Sequence, residues 1–399
     1  MSANGNKKQK TTGKVHLWLR AEVKPQEGRT PLTPDNVKEL LATSQFAVTV
    51  ERSTDRCFSD KEYEEAGATI VDARSWEKPG VAPSDAIVFG LKELPDDIGP
   101  LSHTHIFFGH CFKGQFGWRE LLEKFRQGKG KLYDLEFLTN PQGRRVAAFG
   151  RPAGLVGCAL GLLTWANQQK DLANRHPLGT TGVKPWKTEK ELFAQVADAI
   201  KAVGRKVRVL VIGALGRCGG GATYTCEQIP GDLVSVTGWD LDETKNGGPF
   251  VEAIEKNDVL VNCVYLTQKI PPFVDNEALD KAGDNRALSV VVDVSCDYTS
   301  ENNPLPIYDR ATTVFDPVLR VREKDDRNAL PLDVISIDHL PSLLPRESSE
   351  NYAEQLFPYI KELAADEQTD VWAKAEKIFS EKLEEAKLKP AIETDADKL

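Results

Sequence analysis

Val207-Arg208-Val209-Leu210-Val211-Ile212 runs directly into Gly213-Ala214-Leu215-Gly216-Arg217-Cys218-Gly219-Gly220-Gly221. A β-branched apolar run that breaks abruptly into glycines reads as a buried parallel strand opening onto a helix N-terminus, where unpaired backbone N–H groups favour an anion. The glycines fit only a loosened G-x-x-G-x-x-G pattern, so a tight turn without a ligand is the competing explanation. The stretch downstream of the turn favours the anion. Val234-Ser235-Val236-Thr237-Gly238-Trp239-Asp240 reads as a second strand ending in a carboxylate. That acid lies about 20 residues beyond the turn, where a dinucleotide-binding βαβ unit accepts from a ribose hydroxyl. NAD(H) is therefore the expected cofactor, since an acid there repels the 2′-phosphate of NADP(H). Residues 258–265 and 290–295 supply further apolar strands, whose ends face the ligand crevice in such a sheet.

Working outward, 399 residues allow two domains, and 40% hydrophobic with 28% charged residues excludes the disordered class. The net charge of −9 comes from dispersed acids. Without a basic stripe, neither nucleic acid nor an anionic membrane is an expected partner. Residues 1–14 are polar and lysine-rich, which predicts a disordered arm rather than a secretory signal. No run is long enough to span a membrane. The seven cysteines are Cys57, Cys111, Cys158, Cys218, Cys226, Cys263 and Cys296, with no C-x-x-C pair. No metal site is expected, and a reducing compartment fits best. Cys218 falls on the turn after the first strand of the nucleotide fold and Cys263 at the end of a later one, neighbouring positions that would allow a disulfide; buried free thiols are the favoured reading.

The N-terminal part alternates strand and helix. Strands are expected at 15–20, 47–50, 69–71 and 86–89, with helices launched by Thr33-Pro34 and by a capping box from Ser59 to Glu62. This predicts a parallel sheet, hence a second α/β domain. Its chemistry belongs at strand ends. Phe89-Gly90-Leu91-Lys92-Glu93 puts a lysine just past one strand, and Ile106-Phe107-Phe108-Gly109-His110-Cys111 puts a histidine past the next. Either alone is more often a solvated lysine or a structural histidine; their matched placement allows both to act on one substrate. Further expectations are a helix at 118–125, a strand at 132–135 and another at 143–150, led by Arg144 and Arg145, whose guanidinium groups suit carboxylates or phosphates. Residues 153–166 read as a buried helix with glycines spaced for close packing, and 167–185 as an exposed loop. A helix at 189–203 leads to the opening strand. A surface turn at 324–328, a last strand from Val334 and helices at 350–363 and 371–383 complete the chain, with a frayed acidic end.

With these residues in place, the sequence resembles the fungal NAD-dependent, lysine-forming saccharopine dehydrogenases, within the wider alanine dehydrogenase and transhydrogenase superfamily. The resemblance runs from Leu19-Arg20-Ala21-Glu22, with Lys24-Pro25, to Trp372. It is carried by Gly90-Leu91-Lys92-Glu93, Leu132-Tyr133-Asp134-Leu135-Glu136-Phe137-Leu138, Gly143-Arg144-Arg145-Val146-Ala147-Ala148-Phe149-Gly150, Ile212-Gly213-Ala214-Leu215-Gly216-Arg217-Cys218-Gly219 and Ser336-Ile337-Asp338-His339-Leu340-Pro341-Ser342-Leu343-Leu344-Pro345-Arg346.

The resemblance implies an oxidoreductase acting on CH–NH donors, which closes the aminoadipate route of lysine biosynthesis: saccharopine, NAD and water give lysine, 2-oxoglutarate and NADH. It implies two Rossmann-like domains with parallel sheets and an active-site cleft between them, the substrate domain comprising 15–150 plus about 340–399 and the NAD domain 151–339. Lys92 and His110 would be the acid–base pair. Arg29, Lys92, Gln115, Arg145, Phe149, Ser295, Cys296 and Asp297 would hold saccharopine. Arg144, Gly216, Arg217, Asp240, Thr244, Tyr265, Val294, Asp338, His339, Leu340 and Pro341 would contact NAD. In the family the cysteines matching Cys218 and Cys263 can pair as a disulfide. The family leans towards a monomer. Many members end in a peroxisomal Ser-Lys-Leu; this chain ends Asp397-Lys398-Leu399, which favours the cytoplasm over the peroxisome. The alternatives are an alanine dehydrogenase-like enzyme, against which Arg29 and Arg145 argue, and a nonenzymatic NAD-binding protein.

Overall fold

The computed structural model describes residues 13–324, 330–365 and 369–388. The expected arm at 1–14 falls almost entirely outside them, as do the turn at 324–328 beyond Lys324 and the acidic end. The chain divides into two compact units, Met1–Ala148 with Ser349–Leu399, and Phe149–Ser348.

The first unit begins β1 (Val15–Leu19), α1 (Pro34–Ala42), β2 (Phe46–Glu51), α2 (Asp60–Glu65), β3 (Thr69–Val71), β4 (Ile87–Phe89), β5 (Thr104–Phe107), α3 (Trp118–Gly128) and β6 (Lys131–Asp134). Local chemistry explains the helix starts. Thr33 caps α1 with Pro34 behind it, and Ser59 and Glu62 cap each other's backbone at α2. All six strands are parallel in the order β3-β2-β1-β4-β5-β6. This is the doubly wound order of dinucleotide-binding folds. Trp18, Val88, Phe107, Leu122, Phe125 and Leu132 lie in a core that buries the sheet face.

The second unit contains α4 (Gly150–Lys170), α5 (Glu189–Val203), β7 (Val207–Ile212), α6 (Arg217–Gln228), β8 (Val234–Trp239), α7 (Leu241–Thr244), α8 (Val251–Lys256), β9 (Val259–Asn262), α9 (Asn276–Ala282), β10 (Val290–Asp293), β11 (Leu319–Arg322) and β12 (Leu332–Ile335). Its sheet runs β11-β12-β10-β9-β7-β8, parallel except for the antiparallel edge β11. β7 is buried on both faces apart from Arg208, as its β-branched run requires. Helix α4 packs tightly on α6: a Cβ on Gly154 would fall 1.7 Å from the Cys218 carbonyl oxygen, and one on Gly221 2.0 Å from that of Arg151. The close approach is what the glycine spacing provides.

The last helices are α10 (Pro345–Glu362) and α11 (Asp370–Leu388), the latter lying against β6 and α3. Two expectations are corrected. No strand occupies 143–150: only a bridge between Thr139 and Arg145 forms, because the Asn140 side chain accepts from the Gln142 and Arg144 amides and closes a turn there. Helix α4 then starts at Gly150 and extends to Lys170, which shortens the loop expected at 167–185. The units divide after Ala148 and Ser348. The turn at Leu340–Leu343 packs on α4, which keeps it with the second unit.

Candidate active site

In the first unit the strand order reverses beside β1, since the chain builds β2 and β3 on one side before returning with β4 on the other. Doubly wound sheets bind ligands outside the carboxyl ends of their strands at such a reversal. Arg20 to Glu22 leave β1 there, and Leu91 to Glu93 leave β4 beside them. Glu22 accepts the Leu91 N–H at 2.7 Å through one oxygen and the Lys92 N–H at 2.9 Å through the other. Arg20 donates to Glu22 at 3.2 Å and to the Lys92 carbonyl. A buried ion pair thus holds both backbone polar groups of Lys92.

The ladder continues past β5. Phe108 donates to the Leu91 carbonyl at 3.0 Å, extending the Phe89–Ile106 register and putting Lys92 and His110 on neighbouring strand ends. His110 is left-handed, with φ of 49°, and its ring stacks on Phe108 at 6.2 Å. The Asp134 carboxylate, at the end of β6, accepts the Gly109 N–H at 3.1 Å.

Charge gathers at this edge. Burial lowers the Lys92 pKa below the usual lysine value; Arg29 and Lys24 lower it further, against Glu93 and Glu27. Arg29 is itself buried, with Nε 2.8 Å and Nη2 2.5 Å from the two oxygens of Glu27. Burial opposes ionisation of Glu27, but the Arg29 charge and its hydrogen bonds hold the carboxyl below its ordinary range. Burial likewise opposes ionisation of Glu93, yet its own backbone N–H and the charges of Lys24, Lys92 and His110 bring it down. Glu93 therefore feels both members of the expected pair. The Tyr352 phenol on α10 is pushed up by burial and by Asp134, with Arg145 and Arg29 opposing, so Arg145 belongs to the same side.

Lys92, His110, Arg29 and Arg145 are thus brought together within one unit. Gln115 is less closely tied: half-buried in the loop after β5, it accepts from the Lys113 N–H. Arg144 is exposed in the 140–145 turn, and Phe149 caps α4 in the second unit.

The second unit carries the remaining expected residues at the carboxyl ends of its strands. Gly213 turns with φ of 83°, and a Cβ on Gly219 would fall 2.0 Å from the Gly213 carbonyl oxygen. Gly216 is the N-cap of α6 and offers no side chain there, and Gly216 and Arg217 are exposed, so the positive end of the helix dipole is open to solvent. Asp240 accepts from Leu215 N–H and Leu241 N–H, both at 2.9 Å, which places its carboxylate against the glycine turn. Thr244 is buried and donates to the Asp240 carbonyl; Tyr265, past β9, is 66% exposed. These features fit a dinucleotide: a helix N-terminus of the kind that suits phosphate stands beside an acid of the kind that suits ribose hydroxyls.

Beyond β10, Val294 is half-buried and residues 295–297 are fixed by a polar network. Asp293 accepts from Asn262 at 3.0 Å, from Ser295 Oγ at 2.6 Å and from the Tyr308 hydroxyl at 2.6 Å. The Tyr308 hydroxyl reaches Ser336 at 3.0 Å, and Ser336 donates to Cys296 Sγ at 3.1 Å. Burial pushes the Cys296 thiol up to about 11, so it stays protonated. Burial also raises the Asp297 carboxyl, one of whose oxygens is buried with no hydrogen-bond partner. Asp338 is exposed, His339 half-buried, and Leu340 and Pro341 buried in the turn after β12. Neither Cys218 nor Cys263 is in a disulfide; burial, then Cys218, raises the Cys263 pKa. Among the described residues, no group of three His, Cys, Asp or Glu could hold a metal ion, and no helix is long and apolar enough to cross a membrane.

Sequence reasoning singled out neither Glu22, Asp134 nor Asp293. The available signal was an acid closing, or lying just beyond, an apolar strand.

Comparison with known proteins gives the family and the fold. Residues 18–156 match the family model for the alanine dehydrogenase/PNT N-terminal domain, and 194–384 that for the C-terminal domain. The chain is 46% identical to a saccharopine dehydrogenase (NAD+, L-lysine-forming) of Emericella nidulans, covering 93% of this chain and 98% of that one. It is 48% identical to the enzyme of that name from Schizosaccharomyces pombe, over 91% and 97%. Among solved structures, an L-alanine dehydrogenase has a similar fold, with TM-score 0.59 and 17% identity over 92% of this chain and 94% of the other. A transhydrogenase from Sinorhizobium meliloti is similar at TM-score 0.57 and 15% identity, over 89% and 95%.

Proposed function

The chain belongs to the NAD-dependent, lysine-forming saccharopine dehydrogenases of the alanine dehydrogenase/PNT family, and we propose that Lys92 and His110 carry the acid–base chemistry by which it converts saccharopine and water to lysine and 2-oxoglutarate. The observation that supports this most is the meeting of a half-buried, pKa-lowered lysine with His110 and buried Arg29 at the strand-order reversal. In this reading the first unit handles the substrate and the second holds NAD.

Lys92 takes the proton from the secondary amine of saccharopine, which must be neutral before its α-hydrogen can leave; a lowered pKa suits a lysine to that task near neutral pH. When bound, NAD+ supplies the acceptor for the hydride from the glutarate α-carbon. His110 then takes a proton from the water that adds to the imine and returns one to the departing lysine nitrogen, and a histidine can do both. Arg29 and Arg145 grip two of the three substrate carboxylates, with Gln115, Phe149 and residues 295–297 completing the contacts. The N-terminus of α6 at Gly216 and Arg217 receives the pyrophosphate of NAD, and Asp240 takes the ribose hydroxyls. Arg144, Thr244, Tyr265, Val294 and residues 338–341 line the rest.

Purified protein with NAD+ and either saccharopine or alanine, followed by NADH absorbance, tests the substrate. Turnover is expected with saccharopine only; turnover with alanine alone would overturn the reading. The same reading takes the chain as a cytoplasmic monomer, with the peroxisome as the alternative address, which sedimentation and imaging of a tagged chain would test.

A further inference from the structure

We infer that Asp134 is a positioning residue for His110, acting through the Gly109–His110 backbone rather than on the substrate. The inference rests on the reading of His110 as an acid–base group.

The Asp134 carboxylate is buried, and each oxygen has a defined task. Oδ2 accepts the Gly109 N–H at 3.1 Å, and Oδ1 accepts the Glu136 N–H at 2.9 Å. Gly109 is confined there: a Cβ would lie 2.7 Å from Leu132 Cδ2 and 3.2 Å from Asp134 Oδ2. The next residue, His110, sits at φ of 49°, a left-handed conformation that L side chains disfavour. Such a conformation persists only where its surroundings over-determine it, and such sites cluster where geometry serves chemistry. The bond from Asp134 grips the residue immediately before it, while Phe108 stacks on the ring from the other side of Gly109.

The grip depends on ionisation. The carboxylate accepts one amide through each oxygen, and a proton on either oxygen weakens that oxygen as an acceptor. Burial pushes the Asp134 carboxyl up to about 7, with Glu136 raising it and the two amides and Lys113 lowering it. Cys111 and Tyr352 also face this charge, and both carry their protons there. Lowering the pH through that range therefore loosens the His110 backbone before substrate chemistry is considered.

The test compares Asp134→Asn, His110→Gln and the double variant. An asparagine offers one acceptor where two amides need one each. Misplacing a catalytic group by ~1 Å can cost ~10²-fold in rate, so Asp134→Asn is expected to lower kcat by roughly 10- to 100-fold while NADH binding is kept. In the His110→Gln background the same change is expected to lower kcat less than about threefold, because a residue that acts through His110 has nothing left to position. Equal losses in both backgrounds, or none in the single variant, would overturn the role. If His110→Gln alone leaves kcat unchanged, the acid–base reading fails and the positioning role falls with it; if only Asp134→Asn is silent, positioning alone falls. Should Asp134→Asn not fold, histidine-labelled native enzyme decides: the His110 ring resonance should follow two ionisations, and a single one contradicts the proposal.

Discussion

Glu22 holds the backbone of Lys92 directly, its Oε2 accepting the Lys92 N–H at 2.9 Å while Oε1 accepts the Leu91 N–H at 2.7 Å. The lysine is thus aimed from its main chain, leaving its amine to respond to the charges around it. Replacing Glu22 by glutamine turns one acceptor into a donor facing an amide and strips buried Arg20 of its counter-charge. A buried group left unsatisfied costs about 1–3 kcal/mol. Glu22→Gln should lower the melting temperature by several degrees and lower kcat; an unchanged melting curve would show that the clamp is idle.

Arg29 should set the pH at which Lys92 becomes a base. After burial, Arg29 is the main influence holding the Lys92 pKa down. Arg29→Met is expected to move the ionisation seen in the pH profile of saccharopine oxidation to higher pH, lower the rate at neutral pH and raise KM for saccharopine. A shift to lower pH would contradict the assignment. Stability obeys the same sign. A lysine with a lowered folded-state pKa binds fewer protons folded than unfolded between the two values, so its cost is present below the folded pKa and is relieved as pH rises through it.

Gly154 tests the packing beneath the nucleotide site. A methyl group there meets the backbone carbonyl of Cys218 at 1.7 Å, which no rotamer change can relieve. Overpacking of this kind costs about 1–3 kcal/mol, so Gly154→Ala should destabilise the second unit and weaken NADH binding. Thermal unfolding and a cofactor titration would read both effects.

Much of the architecture is legible in the chain because its central strands are β-branched and sharply ended. β7 and α5 occur where their residues predict them, and Ser59 with Glu62 announces α2. The segment 143–150 misleads because Val146 to Phe149 looks like a strand, while the turn that excludes one depends on the Asn140 side chain. The edge strand β11 escapes notice for the opposite reason: its arginines look solvated, yet buried Arg320 pairs with Asp333 of β12 at 2.5 Å. At the site, Lys92 and His110 stand out as residues just past strands. Asp134 does not, since a single acid ending a strand is commonplace, and only the sheet register brings it against Gly109.

The central claim is that Lys92 accepts the proton whose removal permits saccharopine oxidation, and Lys92→Met tests it most directly. Losing a positioned general base costs typically ~10²–10⁴-fold. A fall in kcat of that order is predicted, with NADH affinity unchanged; a variant that turns over saccharopine at the native rate would contradict it.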